Sequence, residues 1–279
     1  MSNCNTCPSN EGCEKDKEQC MIENNPLNQI KNVIGVMSGK GGVGKSTISV
    51  MIAKQLNQLG FKVGILDADI TGPSIPRLLG LTNVMAQGTE EYIYPIQTED
   101  GIKVMSLNFL IEDENQPVIW RGPIIGGTVK QFWTDVLWED LDYLIIDMPP
   151  GTGDVALTVM QSIPINGIVM VSIPQDLVSM IVSKAINMAK KMDMNILGII
   201  ENMSYIVCPD CGEKIELFNS ENIDKFMVEN DLHLLGQLPM VNTISNLSNC
   251  DYKEISLELW NMFNPTVINV IKRLEELKW

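Results

Sequence analysis

The stretch Gly39-Lys40-Gly41-Gly42-Val43-Gly44-Lys45-Ser46-Thr47 constrains this chain more than any other. It follows a short apolar run, Val33–Met37. It precedes a segment with apolar residues at Ile48, Met51, Ile52, Leu56 and Leu59, the 3.6-residue spacing of a helix. Gly60 stands where that helix should stop. From Gly39 to Ser46 the residues fit G-x-x-x-x-G-K-[ST] in the strand–loop–helix setting the motif requires. Glycines let backbone N–H groups turn toward a polyphosphate without Cβ clashes. A helix starting near Lys45 adds its positive end. The Lys45 ammonium can neutralise β- and γ-phosphates, and the Ser46 hydroxyl can bind Mg²⁺. Gly39, Gly41 and Gly44 also match the dinucleotide pattern G-x-G-x-x-G. That shorter pattern leaves the closing Gly-Lys-Ser unexplained, whereas a phosphate-binding P-loop needs it.

Further apolar runs predict strands at Lys62–Leu66, Lys103–Ser106, Tyr143–Ile146, Gly167–Ile173, Ile196–Ile200 and Leu234–Leu238. Helical spacing predicts Val178–Met192, with Val178, Ile181, Val182, Ala185, Ala189 and Met192 on one face, and a last helix Val267–Leu277 carrying Val270, Ile271 and Leu274. Apolar strands alternating with helices imply an α/β fold with a doubly wound, mostly parallel sheet covered on both faces. Residues 28–279 read as one such domain behind a polar tail, residues 1–27. Ligands bind beyond the carboxyl ends of parallel strands, so three loops should converge. They are the P-loop, the segment of Asp67 and Asp69, and Asp147 with the Gly/Pro-rich run to Asp154. Asp147 ends a strand where a Walker-B aspartate would hold Mg²⁺. The bland reading of any one of these acids is a turn or helix cap.

Bulk properties exclude other classes. A net charge of −15 argues against a nucleic-acid binder and against docking on an anionic membrane. No segment reaches the ~18 apolar residues of a membrane span, and the N-terminal residues have no secretory character. A cytoplasmic protein is expected, where seven cysteines are not a disulfide framework. Seventeen methionines read as core filling at helical spacing.

Cys208-Pro209-Asp210-Cys211-Gly212 is a C-x-x-C in a turn-rich segment. No second pair follows to make a zinc ribbon, Cys250 reads as a buried apolar residue, and the lone His233 completes nothing. Two ligands are half a tetrahedral or cubane set, and two chains would supply four thiolates. The alternative is an unliganded turn. In the tail, Cys4, Cys7, Cys13 and Cys20 are spaced C-x₂-C-x₅-C-x₆-C and could close on one cluster or one zinc; the alternative is an exposed reduced segment.

Together the ordered motifs resemble the Mrp/ApbC family of iron–sulfur carrier ATPases. They are the "deviant" Walker A with Lys40, Asp67-Ala68-Asp69-Ile70-Thr71-Gly72-Pro73-Ser74, Trp120-Arg121-Gly122-Pro123, Asp147–Asp154, Glu201-Asn202-Met203-Ser204 and the Cys208/Cys211 pair. The resemblance runs from about Asn28 to past Pro239. It implies ATP, Mg²⁺ and a [4Fe–4S] cluster as cofactors, a homodimer, and apo iron–sulfur proteins and cluster donors as partners. It implies that Lys40 reaches the nucleotide across the dimer, Asp69 orients the attacking water, Asp147 holds Mg²⁺, and Asn202 contacts adenine. Cys208 and Cys211 would share a bridging cluster with their dimer mates. Cys4, Cys7 and Cys13 also resemble the tail of the eukaryotic cytosolic scaffolds; Cys20 departs from it, because those relatives place the remaining cysteine upstream. Other readings of the signature lysine are a positioning ATPase of the MinD/ParA kind, without a cluster, and a nitrogenase-iron-protein-like reductase, whose ligands are not a C-x-x-C. A small-metabolite P-loop kinase is a further class. The charges mixed into the final amphipathic helix argue against its being a membrane anchor.

Overall fold

The computed structural model describes residues 21–70, 72–111, 122–177, 180–216, 221–240 and 257–277. Cys4, Cys7, Cys13, Cys20, Trp120, Arg121, Val178 and Cys250 lie outside them. In chain order the elements are β1 (Gln29–Ile30), β2 (Val33–Ser38), α1 (Lys45–Gln58), β3 (Val63–Asp67), α2 (Ile75–Leu78), β4 (Ile96–Gln97), β5 (Lys103–Met105) and a 3₁₀ turn at Leu107–Phe109. There follow α3 (Gly122–Thr134), β6 (Asp140–Leu141), β7 (Tyr143–Asp147), α4 (Asp154–Ser162), β8 (Gly167–Ser172), α5 (Pro174–Leu177) and α6 (Met180–Lys191). The chain ends with β9 (Ile196–Val207), β10 (Lys214–Glu216), α7 (Glu221–Glu229), β11 (Leu234–Pro239) and α8 (Leu257–Glu276).

Among the described residues nine strands form one sheet, in the order β10-β9-β8-β2-β7-β3-β5-β4, with β11 also on β9. The central pairings are parallel, as is β11 on β9; β4 and β10 at the margins run antiparallel. β1 and β6 form a separate parallel pair. Strands β2, β3, β7 and β8 are buried at every position, which is why they read as unbroken apolar runs. Successive strand residues feed opposite faces. Met37, Leu66, Ile146 and Ile168 join one core with Phe132, Trp138 and Val159. Val36, Ile65, Ile145 and Val169 join the other with Ile48, Ile52, Phe263 and Val267. The register sets Asp67 opposite Asp147 and Val36 opposite Asp147, so β2, β3 and β7 end at one level.

Several elements depart from their sequence reading. β9 extends to Val207 rather than stopping at Ile200. In α6 Val182, Ala185, Ile186 and Ala189 are buried, but Ile181, expected on that face, is 48% exposed. Its side chain faces Gly39 instead: a Cβ on Gly39 would stand 3.1 Å from Ile181 Cγ2. The last helix begins at Leu257, not Val267, and carries Pro265 in its interior. An interior proline costs roughly 3 kcal/mol. Burial of Trp260 and Phe263 on the N-terminal side offsets it, at about 1.5–3 kcal/mol for each large apolar side chain. Gly236 lets this helix approach β11, because a Cβ there would overlap Thr266. The chain is also tied to the domain upstream of residue 28. Ile22 N donates to Ser162 O at 3.0 Å, and Trp133 Nε1 donates to Ile22 O at 3.0 Å.

Candidate nucleotide site and thiol turn

The P-loop bridges β2 and α1 as the motif requires. Gly42 (φ 82°) and Gly44 (φ 83°) are left-handed, a conformation that strains any residue with a Cβ. Gly41 and Gly42 are exposed with open space around them, so their N–H groups are free of Cβ crowding. Gly44 has a further reason to be bare: a Cβ would overlap the Asn202 amide. That amide, 2% exposed, donates from Nδ2 to the Val43 carbonyl at 2.9 Å. Asn202 therefore braces the loop from β9, a contact not legible in the sequence. Gly151 (φ 81°) donates its N–H to Ser38 O at 2.8 Å, which joins the loop after β7 to the P-loop. Lys40 is exposed on the loop, and its carbonyl accepts the Ser38 hydroxyl at 3.0 Å. Thr47 is half-buried at the start of α1.

The three strand ends bring the acids together around Lys45. Lys45 Nζ lies 2.8 Å from Asp147 Oδ2 and 3.8 Å from Asp69 Oδ2. The Ser46 hydroxyl donates to Asp147 Oδ2 at 2.6 Å, and Ser49 Oγ stands 2.7 Å from Asp147 Oδ1. Ser49 escaped the sequence reading; its only signal is a hydroxyl one helical turn after Lys45, on the face turned toward the strand ends. Asp67 Oδ1 accepts the Asp69 N–H at 3.2 Å, and Asp67 Oδ2 accepts Ser106 Oγ at 3.2 Å and the Ile75 N–H at 3.4 Å. Burial, reinforced by the charge of Asp147 and opposed by Lys45, pushes the Asp67 carboxyl up to about 8. Asp154, exposed, opens α4.

β9 continues past Asn202, bends at Met203 (φ 53°), and runs into a hairpin with β10. The hairpin tip is the C-x-x-C turn. Cys208 N donates to Glu213 O and Gly212 N (φ 74°) to Cys208 O, both at 2.9 Å. Cys208 is half-buried, Cys211 is exposed, and both thiols are free. The backbone N–H groups of Cys211 and then Asp210 face the Cys208 sulfur, and with the Cys211 side chain they hold its thiol below the usual range. Among the described residues no cluster of three or more His, Cys, Asp or Glu side chains could hold a metal. The turn therefore offers two ligands. Ile206, Val207 and Ile215 beside it are exposed.

The ParA-type pattern described as the NUBPL iron-transfer P-loop NTPase matches residues 29–273. The iron–sulfur cluster carrier protein of Clostridium perfringens is 48% identical over 244 residues, 85% of each chain. That of Methanocaldococcus jannaschii is 47% identical over 243 residues, covering 85% of this chain and 83% of the relative. Among solved structures, an Archaeoglobus fulgidus nucleotide-binding protein in complex with ADP is 41% identical, with a TM-score of 0.70 over 86% of this chain and 91% of its own. The Aquifex aeolicus MinC:MinD cell division complex, 19% identical with a TM-score of 0.60 over 88% of this chain and 96% of its own, shares the fold. The extent of these matches, over a P-loop that is formed as its motif demands, shows that the chain belongs to the NUBPL iron-transfer P-loop NTPase family.

Proposed function

We propose that this chain is a cytoplasmic ATP-hydrolysing carrier that takes a [4Fe–4S] cluster as cargo between two copies of itself and delivers it to apo iron–sulfur proteins. The observation that carries the proposal is that one strand serves both sites. β9 braces the P-loop through Asn202 and, six residues on (208 − 202), presents Cys208 in a turn whose N–H groups favour a thiolate. A thiolate pair is half of a four-ligand set, and the same pair from a second copy completes it. The carrier names of the relatives and the ADP held by the Archaeoglobus protein support both halves of this reading.

In this mechanism the P-loop N–H groups, from Gly39 to Thr47, and Lys45 bind the phosphates, with Lys40 reaching the nucleotide of the second copy. Asp69, 3.8 Å from Lys45, orients the attacking water. Asn202 adds an adenine contact to its bracing role. Hydroxyl and carboxylate oxygens are hard donors suited to Mg²⁺, and Ser46 and Asp147 lie 2.6 Å apart at the right strand end. They would hold that ion, and it would supply charge neutralisation for the bound phosphates. Closing on the γ-phosphate orders the loops of Asp69 and Gly151–Asp154 and draws the two copies together, which changes access to the thiol turn. Cys4, Cys7, Cys13 and Cys20, in the 1–27 tail ahead of the 28–279 domain, would hold a second cluster.

The test is iron and sulfide analysis of anaerobically prepared chain beside Cys208→Ala and Cys13→Ala, followed by transfer to an apo-ferredoxin-like acceptor. Wild type should carry iron at both sites, Cys208→Ala should lose only the share held at the thiol turn and Cys13→Ala only the share held in the tail, and Lys45→Ala should transfer without ATP dependence. An iron-free wild type that stays monomeric with ATP overturns the carrier reading. A MinD-like membrane positioner is disfavoured by α8, whose Phe263, Val267, Val270 and Leu274 are all buried in the core. ATP-dependent sedimentation with anionic liposomes would revive it.

A further inference from the structure

Glu201 is 1% exposed and has no part in the chemistry above. Its Oε2 accepts Gln237 Nε2 at 2.6 Å and the Ser204 hydroxyl at 3.0 Å. Both donors are neutral, so the pairing is weak compensation for a buried carboxylate. Well-packed apolar residues often serve stability as well as buried charge does. What the carboxylate adds is geometry. Glu201 adjoins Asn202, the brace of the P-loop. Ser204 lies on the far side of Met203, the left-handed bend in β9. Gln237 sits opposite Glu201 on β11. Gln237 Oε1 in turn accepts Lys214 Nζ at 3.4 Å, and that ammonium stands 4.1 Å from the centre of the Tyr205 ring. Lys214 opens β10, the return strand of the thiol hairpin. A continuous set of contacts thus runs from the strand at the P-loop, across its bend, to the base of the C-x-x-C turn.

We propose that Glu201 is a positioning residue that makes the bend of β9 rigid and ties it to the thiol hairpin. Nucleotide-driven movement of Asn202 then reaches Cys208 and Cys211 instead of dissipating at Met203. The inference deepens the carrier reading and rests on it for what the thiols hold, but its claim concerns the thiols themselves.

The experiment is alkylation of the full chain, read by mass spectrometry on the peptide containing Cys208 and Cys211, with and without Mg-ATPγS. In wild type the nucleotide should change the rate by about 5-fold or more. In Glu201→Leu the change should vanish while ATPγS affinity stays within about threefold, the separation expected of a coupling residue rather than a binding one. The exchanged pair E201Q/Q237E, which rebuilds an acid–amide contact that Lys214 can still reach, should recover the nucleotide effect. Gln237→Ala breaks the same link from the exposed side and should also lose the effect, which covers a Glu201→Leu chain that does not fold. A nucleotide effect that persists in Glu201→Leu or Gln237→Ala overturns the proposal, as does a folded E201Q/Q237E without recovery, or a wild type without an effect. Iron-free wild type, by contrast, sinks the carrier reading and leaves these rates to stand alone.

Discussion

Lys45 Nζ lies 2.8 Å from Asp147 Oδ2, with 6% and 0% of the two side chains exposed. The same carboxylate takes the Ser46 hydroxyl and lies within hydrogen-bond reach of Ser49. One buried ammonium thus holds α1 against β7 and, through Asp69, against the end of β3. A triphosphate bound as proposed would compete with the carboxylate for this cation and draw Lys45 partly away from Asp147. The residue proposed to bind the phosphates is therefore also a structural pin.

Lys45→Ala should cost stability as well as nucleotide affinity. Removing one partner of a buried pair costs about 3–5 kcal/mol, and the serine hydroxyls that remain on Asp147 should bring this to about 2–4 kcal/mol. Urea unfolding without nucleotide measures it. K45A/D147N should recover part of the loss, because the stranded charge is gone. A Lys45→Ala chain as stable as wild type would show that the pair contributes no net stability.

Gly44→Ala should weaken nucleotide binding and stability together. The left-handed backbone alone costs Ala about 1–2 kcal/mol, and the new methyl overlaps the Asn202 amide. Adding Asn202→Ala removes the overlap and the Val43 bond at once, so the two substitutions should be non-additive by about 0.5–3 kcal/mol. Thermal melts of the four chains give this number. Simple additivity would mean that Asn202 does not press on the loop.

The phosphate loop, the converging acids and the sheet were legible because each rests on local rules: glycine spacing, strand ends and unbroken apolar runs. Asp67, Asp69 and Asp147 fall at strand ends in the structure as their positions in the sequence implied. What escaped depended on distant partners. The brace from Asn202 to the Val43 carbonyl is one such contact, and only the fold shows it. The extension of β9 to Val207 crosses a left-handed Met203 that no propensity announces. The start of the last helix at Leu257 escaped as well: the cost of Pro265 is local, whereas the burial of Trp260 and Phe263 that offsets it is tertiary. Ile181 has apolar helical spacing but turns to the P-loop glycine rather than to the sheet.

Asp67 should make the nucleotide-free domain less stable as pH rises. Its carboxyl is pushed from 3.8 to about 8 by burial and by Asp147, so between those values the folded chain holds a proton that the unfolded chain has lost. Stability from this group is full below about pH 4 and falls as pH climbs toward 8. Asp67→Asn, which stays neutral and keeps a side-chain acceptor for Ser106, should flatten that slope. At pH 8 it should melt about 2–4 °C or more above wild type, the shift expected for each kcal/mol in a domain of this size. Parallel melting curves for the two chains from pH 5 to 8.5 would refute the assignment.

The thiol turn should show its chemistry without any metal. N–H groups of Cys211 and Asp210 facing the Cys208 sulfur favour the thiolate, and they do so only while the turn is folded. Under reducing, metal-free conditions, the pH midpoint of iodoacetamide alkylation at Cys208 should fall below the value for the same residue in urea. The thiolate is the nucleophile, so the displacement of the midpoint reads the pKa directly. Gly212→Ala, which strains the φ of 74° without a steric clash, should loosen the turn at a cost of about 1 kcal/mol and move the midpoint back toward the unfolded value. Coincident midpoints for folded wild type and urea-unfolded chain would mean that the turn does not prepare Cys208 to bind iron.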